Sequence, residues 1–79
     1  MPKDLTTIQG RLRYARSLKG WTQPDLAKKL RTSRTLISGW ERGLGKPRIS
    51  RVPNVAEALG VRLEWLLYGD GPMEEVQHA

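Results

Sequence analysis

Few side chains in this 79-residue sequence are placed to do chemistry, and most of those are basic. Ser38 has no neighbour able to act as its base, and His78 stands alone among the last residues. The carboxylates do not cluster in a way that acid–base catalysis or a metal ion would need, and there is no cysteine. What does recur is a polar line. Arg34, Ser38 and Arg42 stand four residues apart, with Thr35 and Gly39 on the adjacent line of the same helix. A face so small, polar and basic suits the floor of a DNA major groove. There guanine offers two acceptors to an arginine and thymine offers a methyl group. The residues therefore point to recognition of a polyanion, with no enzyme, no cofactor and no metal.

Charge supports the same reading. The sequence carries 14 Lys+Arg against 8 Asp+Glu, a formal net charge of +6. Between Arg11 and Arg51 lie 12 basic residues and only two acids, Asp25 and Glu41, while beyond Asp70 there is no Lys or Arg. A concentrated basic surface attracts nucleic acid because neutralising phosphates releases condensed counterions. No apolar run approaches the roughly 18 residues of a membrane span, and the first residues show no signal-peptide pattern. The absence of cysteine fits a reducing compartment. The expected setting is cytoplasmic, with no membrane partner.

The elements that must hold this face are helices, since apolar residues recur at three and four rather than at two. The expected fold is all-α: a compact five-helix domain over residues 7–69, with an N-terminal arm (1–6) and a C-terminal tail (70–79). The first helix spans about Thr7 to Leu18. Ile8, Leu12, Ala15 and Leu18 form its inner stripe, Arg11, Arg13 and Lys19 lie outside, and Gly20 ends it. Thr22 opens the second, with Asp25 in the capping-box position and Pro24 in the first turn. Leu26, Ala27 and Leu30 are its buried stripe. Ser33 caps the third, Leu36, Ile37 and Trp40 face inward, and Gly43 stops it. A loop from Leu44 to Ile49 leads to a fourth helix from about Ser50 to Leu59, and a fifth covers about Arg62 to Leu67. Two helices joined by two or three residues must cross steeply, which needs a small residue at Ala27 and a wedge at Ile37. Trp21, Trp40 and Trp65 have helical spacing and apolar neighbours, so they are read as core, not as base-stacking aromatics.

The stretch Thr22-Gln23-Pro24-Asp25-Leu26-Ala27, followed by Ile37-Ser38-Gly39-Trp40-Glu41-Arg42-Gly43, resembles the phage repressor and Cro (XRE) type of helix-turn-helix domain. Ala56-Glu57-Ala58-Leu59-Gly60-Val61 and Trp65-Leu66-Leu67-Tyr68-Gly69 match the same family's last two helices, so the likeness covers about residues 7 to 70. It implies a transcriptional regulator that reads a double-stranded operator with the third helix. Arg34, Thr35, Ser38 and Gly39 would face bases. Thr22 and Gln23 at the start of the second helix, Ser33 at the start of the third and Arg31 in the turn would hold phosphates. Arg42, Lys46, Arg48 and Arg51 would do the same. Arg16 and Glu41 would form an internal ion pair.

The family usually has glycine at Arg31 and often a long polar reader at Gly39, so this chain departs from the pattern twice. The likeness also implies a weak homodimer formed on DNA through Arg62, Leu66 and Tyr68. Its partner would be an inverted repeat with recognition helices about 34 Å apart. Two rival readings remain: an antitoxin that binds a toxin protein as well as its own operator, and nonspecific coating of nucleic acid.

Overall fold

The first three helices of this chain start at short polar residues, and helices throughout it stop at left-handed ones. In the computed structural model, which describes residues 4–74, these signals delimit five helices. They are α1 (Ile8–Leu18), α2 (Gln23–Leu30), α3 (Arg34–Glu41), α4 (Val52–Leu59) and α5 (Leu63–Tyr68). Thr7, Thr22 and Ser33 cap α1, α2 and α3 by accepting from the N–H groups of Gly10, Asp25 and Leu36. At Thr22 the box is complete, because the Asp25 carboxylate accepts from the Thr22 N–H at 2.8 Å.

Four helices stop in one way. Gly20, Arg31, Gly43 and Gly60 adopt left-handed backbone, and each following residue donates its N–H to the carbonyl five positions back. Arg31 is the only non-glycine with positive φ among the described residues (φ 55, ψ 48). Such a conformation costs a residue with a Cβ about 1 kcal/mol. Arg31→Gly is therefore expected to raise the unfolding free energy by about 1 kcal/mol, measured by urea denaturation.

The fold is all-α. α1 packs on α3 and α5, α2 on α3 and α4, and α4 on α5. Leu12, Leu26, Ile37, Val52, Val55 and Leu66 fill the centre, with Trp40 and Trp65 buried beside them. Trp21 is half-buried against this core, and the Lys19 and Lys29 ammoniums lie 5.8 and 5.4 Å from its ring centroid. α2 and α3 make the steep pair, with Ala27 and Ile37 buried between them and the rest of the core. The C-terminal segment turns back: the Arg62 N–H donates to the Met73 carbonyl at 2.8 Å, and Val61 and Glu74 form an isolated antiparallel bridge. His78 lies outside the described residues.

Four expectations are corrected. Arg11, expected outside, is 4% exposed, because the carbonyls at the end of α5 need donors there. Leu18, expected inside, is 55% exposed, since it sits in the last turn of α1 beyond the central packing. Leu36, expected inward, is 39% exposed and faces a notch beside Gly39 and Leu44 instead. Leu66, expected at a dimer contact, is fully buried in the monomer core and offers no surface for pairing. The fourth helix also begins later than Ser50. Residues 48–51 form a turn, with the Arg51 and Val52 N–H groups both donating to the Arg48 carbonyl.

Candidate nucleic-acid interface

α3 owes its position to its inner side. Ile37 and Trp40 are buried, and Glu41 is tied to Arg16 by two hydrogen bonds: Arg16 Nε donates to Oε2 at 2.6 Å and Nη2 to Oε1 at 2.8 Å. The Glu41 side chain is 3% exposed and that of Arg16 15%. The hydrogen bond to Glu41 holds the Arg16 guanidinium above its ordinary pKa, outweighing the opposite effect of burial. Arg16 Nη1 also donates to the Trp21 carbonyl at 2.7 Å, just before α2. Gln23 Nε2 donates to Glu41 Oε1 at 3.2 Å. One carboxylate thus ties α1, the start of α2 and the end of α3 together, and fixes Gln23 beside α3.

With its inner side anchored, α3 leaves Arg34, Thr35 and Arg42 exposed, and Ser38 and Gly39 half-buried. Thr22 and Ser33 are exposed at the helix starts, where their hydroxyls cap N–H groups. Hydrogen bonds from the Thr22 N–H and hydroxyl lower the Asp25 pKa, so this carboxylate stays charged at the start of α2. Lys46 and Arg48 are exposed in the loop after α3. Arg31, Arg48 and Arg51 line one open groove between α2 and α4, together with Trp21 and Lys29. Ser33, Thr35, Gly39 and Lys46 surround a second, smaller notch. Arg62 and Tyr68 lie away from both. Tyr68 is 68% exposed, and Arg62 is 3.6 Å from Glu64.

Two structural arginines were missed by sequence reasoning. Arg11 donates through Nε to the Leu66 carbonyl (2.9 Å), through Nη2 to Leu67 (3.0 Å) and through Nη1 to Leu5 (2.8 Å). Burial depresses its pKa. Only its place next to Leu12 on the inner side of α1 hinted at this. Arg51, expected on phosphate, donates to the Leu30 carbonyl at the end of α2 (2.7 Å), a contact that no sequence signal marked.

Gly39 is not required by the fold. A Cβ built there meets nothing within 4 Å, and its backbone is helical. Glycine inside a helix costs about 1 kcal/mol relative to alanine. Gly39→Ala is therefore expected to gain about that much in thermal or urea unfolding.

Comparison with known proteins agrees with this geometry. A Helix-turn-helix family profile matches residues 12–66. The chain is 38% identical over 64 residues to the HTH-type transcriptional regulator DicA of Escherichia coli, covering 81% of this chain and 47% of DicA. It is 37% identical over 60 residues to the HTH-type transcriptional activator BcrR of Enterococcus faecalis, covering 76% of this chain and 29% of BcrR. The chain thus spans less than half of either relative. Among solved structures it is similar to the P22 c2 repressor in complex with a synthetic operator. That match has TM-score 0.76 and 30% identity, and covers 81% of this chain and 97% of the repressor. It is also similar to the restriction-modification controller protein C.AhdI of Aeromonas hydrophila. There the TM-score is 0.71 with 31% identity, and the match covers 81% of this chain and 97% of that one. With five helices in the repressor order and an anchored α3 whose outer face is polar, the chain belongs to the phage repressor-like (XRE-type) helix-turn-helix family of DNA-binding transcriptional regulators.

Proposed function

We propose that this domain is a sequence-specific repressor of the phage or prophage kind, which lays α3 in the major groove of an operator. One observation carries this reading above the others. α3 is locked from within by Ile37, Trp40 and Glu41, yet among the described residues the side chains of Arg34, Thr35 and Ser38, next to Gly39 on its outer face, make no hydrogen bond or ion pair. A rigid helix with an uncommitted polar face has the form of a reading head. The likeness to a repressor solved on an operator supports the same placement.

Arg34 reads a guanine through O6 and N7, and Thr35 and Ser38 read neighbouring base edges. Gln23, braced by Glu41, and the free N–H groups at the starts of α2 and α3 beside Thr22 and Ser33 take phosphates. Arg31, Arg42, Lys46, Arg48 and Arg51 fix the register on the backbone without reading sequence. Exposed Tyr68 and half-buried Arg62 remain as the contacts through which two copies pair weakly on an inverted repeat. The relatives named above are regulators and a controller, and none is named as an antitoxin.

Selection of bound duplexes from a random library in moderate salt tests this. The expected product is an inverted repeat with half-sites about one helical turn apart. Transcription from a promoter overlapping that repeat should fall when the protein is added. No enriched sequence, with binding that fades uniformly as salt rises, would contradict the reading.

A further inference from the structure

The groove between α2 and α4 gathers cations that the reading face of α3 does not account for. Its volume is about 790 Å³, and no residue of α3 lines it. Lys29 and Arg31 reach it from the end of α2, and Arg48 and Arg51 from the turn before α4, against one carboxylate, Glu57. Four cations and a single acid around a concave surface focus positive potential where a small anion would sit. The volume is that of a small-ligand site, and a duplex can touch only the rim of such a groove. Two of the arginines are prepared for an anion. Arg51 is half-buried, and its Nη2 donates to the Leu30 carbonyl at 2.7 Å, its one hydrogen bond among the described residues. That bond fixes the guanidinium at the groove with its other N–H groups open to a ligand. Arg31 holds left-handed backbone at a cost that glycine would avoid, and its side chain makes no hydrogen bond or ion pair among the described residues. Strain kept at a residue that lines a groove points to a ligand, since it does nothing for stability.

We propose that this groove binds a small polyphosphate, the group that nucleotides carry, and that its occupation releases the operator. The chemistry follows from the donors. Guanidinium groups bind phosphate oxygens bidentately, and linked phosphates span several arginines at once. Trp21 and Asn54 in the wall add an aromatic ring and an amide for a nucleoside attached to those phosphates. Arg31, Arg48 and Arg51 are also the residues proposed to hold the operator backbone, so ligand and DNA compete for the same cations. The release of operator rests on that reading, whereas the groove as an anion site does not.

The test is isothermal titration calorimetry with sodium triphosphate and, separately, with magnesium-free ATP, at an ionic strength held constant with chloride. Binding should saturate at one ligand per chain. Tighter binding of ATP identifies a nucleotide as the ligand, and equal affinities identify the polyphosphate alone. Arg31→Gly relieves strain and so does not lose binding by unfolding. It should weaken both ligands about tenfold, the effect of one charge-assisted hydrogen bond. Glu57→Gln removes the groove's carboxylate and should tighten binding about threefold. Arg34→Ala, outside the groove, should change nothing. Binding that never saturates, that survives intact in Arg31→Gly, or that weakens equally in Arg34→Ala is a diffuse ion atmosphere and overturns the site. Triphosphate added to the operator complex should lower its anisotropy where chloride of equal ionic strength does not. A site that saturates without displacing operator overturns the competition. Failure to select any operator removes the functional reading and leaves calorimetry to judge the groove.

Discussion

Replacing Arg16 by methionine is expected to lower the unfolding free energy by about 3 kcal/mol, because it leaves the Glu41 carboxylate buried without its partner. That is a large share of the roughly 5–15 kcal/mol that stabilise a domain. An exposed pair would be worth at most about 1 kcal/mol, so the size of the loss decides whether burial matters. The double variant Arg16→Met/Glu41→Leu removes both charges and should regain more than half of the loss in urea denaturation. Gln23 has its acceptor on the same carboxylate, so operator binding by the double variant should stay weak even where folding is restored. A single-variant loss below about 1 kcal/mol would show the pair to be a surface ornament.

Arg11→Met should be nearly as costly, for a different reason. The methionine keeps most of the buried aliphatic volume but withdraws donors from three carbonyls, those of Leu66, Leu67 and Leu5. The bond to Leu66 is buried and the other two are partly so, which sets the expected loss at about 2–4 kcal/mol. α5 has six residues and cannot persist as a helix without its tertiary contacts. The loss should therefore appear locally first: amide exchange in α5 should accelerate relative to α2 and α3. Arg11→Lys should recover little, since a single ammonium cannot span three separate acceptors as the guanidinium fork does. Unchanged exchange in α5 of Arg11→Met would mean that these bonds do not hold the helix.

These two arginines show what the sequence made legible and what it did not. Thr22, Asp25, Ser33 and Gly43 act through backbone groups within five residues of themselves, so caps and stops could be read directly. The inner stripe of α2 and the wedge at Ile37 followed from periodicity. Arg16 and Glu41 were recognised through family resemblance, because nothing local links residues 25 apart. Arg11 was misplaced, and the bond of Arg51 to the end of α2 was missed, for that same reason. Their acceptors are carbonyls at the ends of other helices, and a basic side chain in a basic sequence gives no sign that a distant helix needs a donor. Leu18 and Leu36 kept the right spacing but lie in terminal turns, where periodicity does not say whether a neighbour is present. The outward face of α3 was legible by subtraction, as the positions the core did not use.

The most direct test of the account is what Arg34 does to sequence preference. Wild type and Arg34→Ala would be titrated against the selected operator and its single-base variants at one salt concentration. The account predicts that Arg34→Ala loses about 1–3 kcal/mol on the operator and becomes indifferent at one guanine position, with preferences elsewhere kept. A uniform loss at every sequence, with the guanine still preferred, would place Arg34 on a phosphate and contradict base reading by α3.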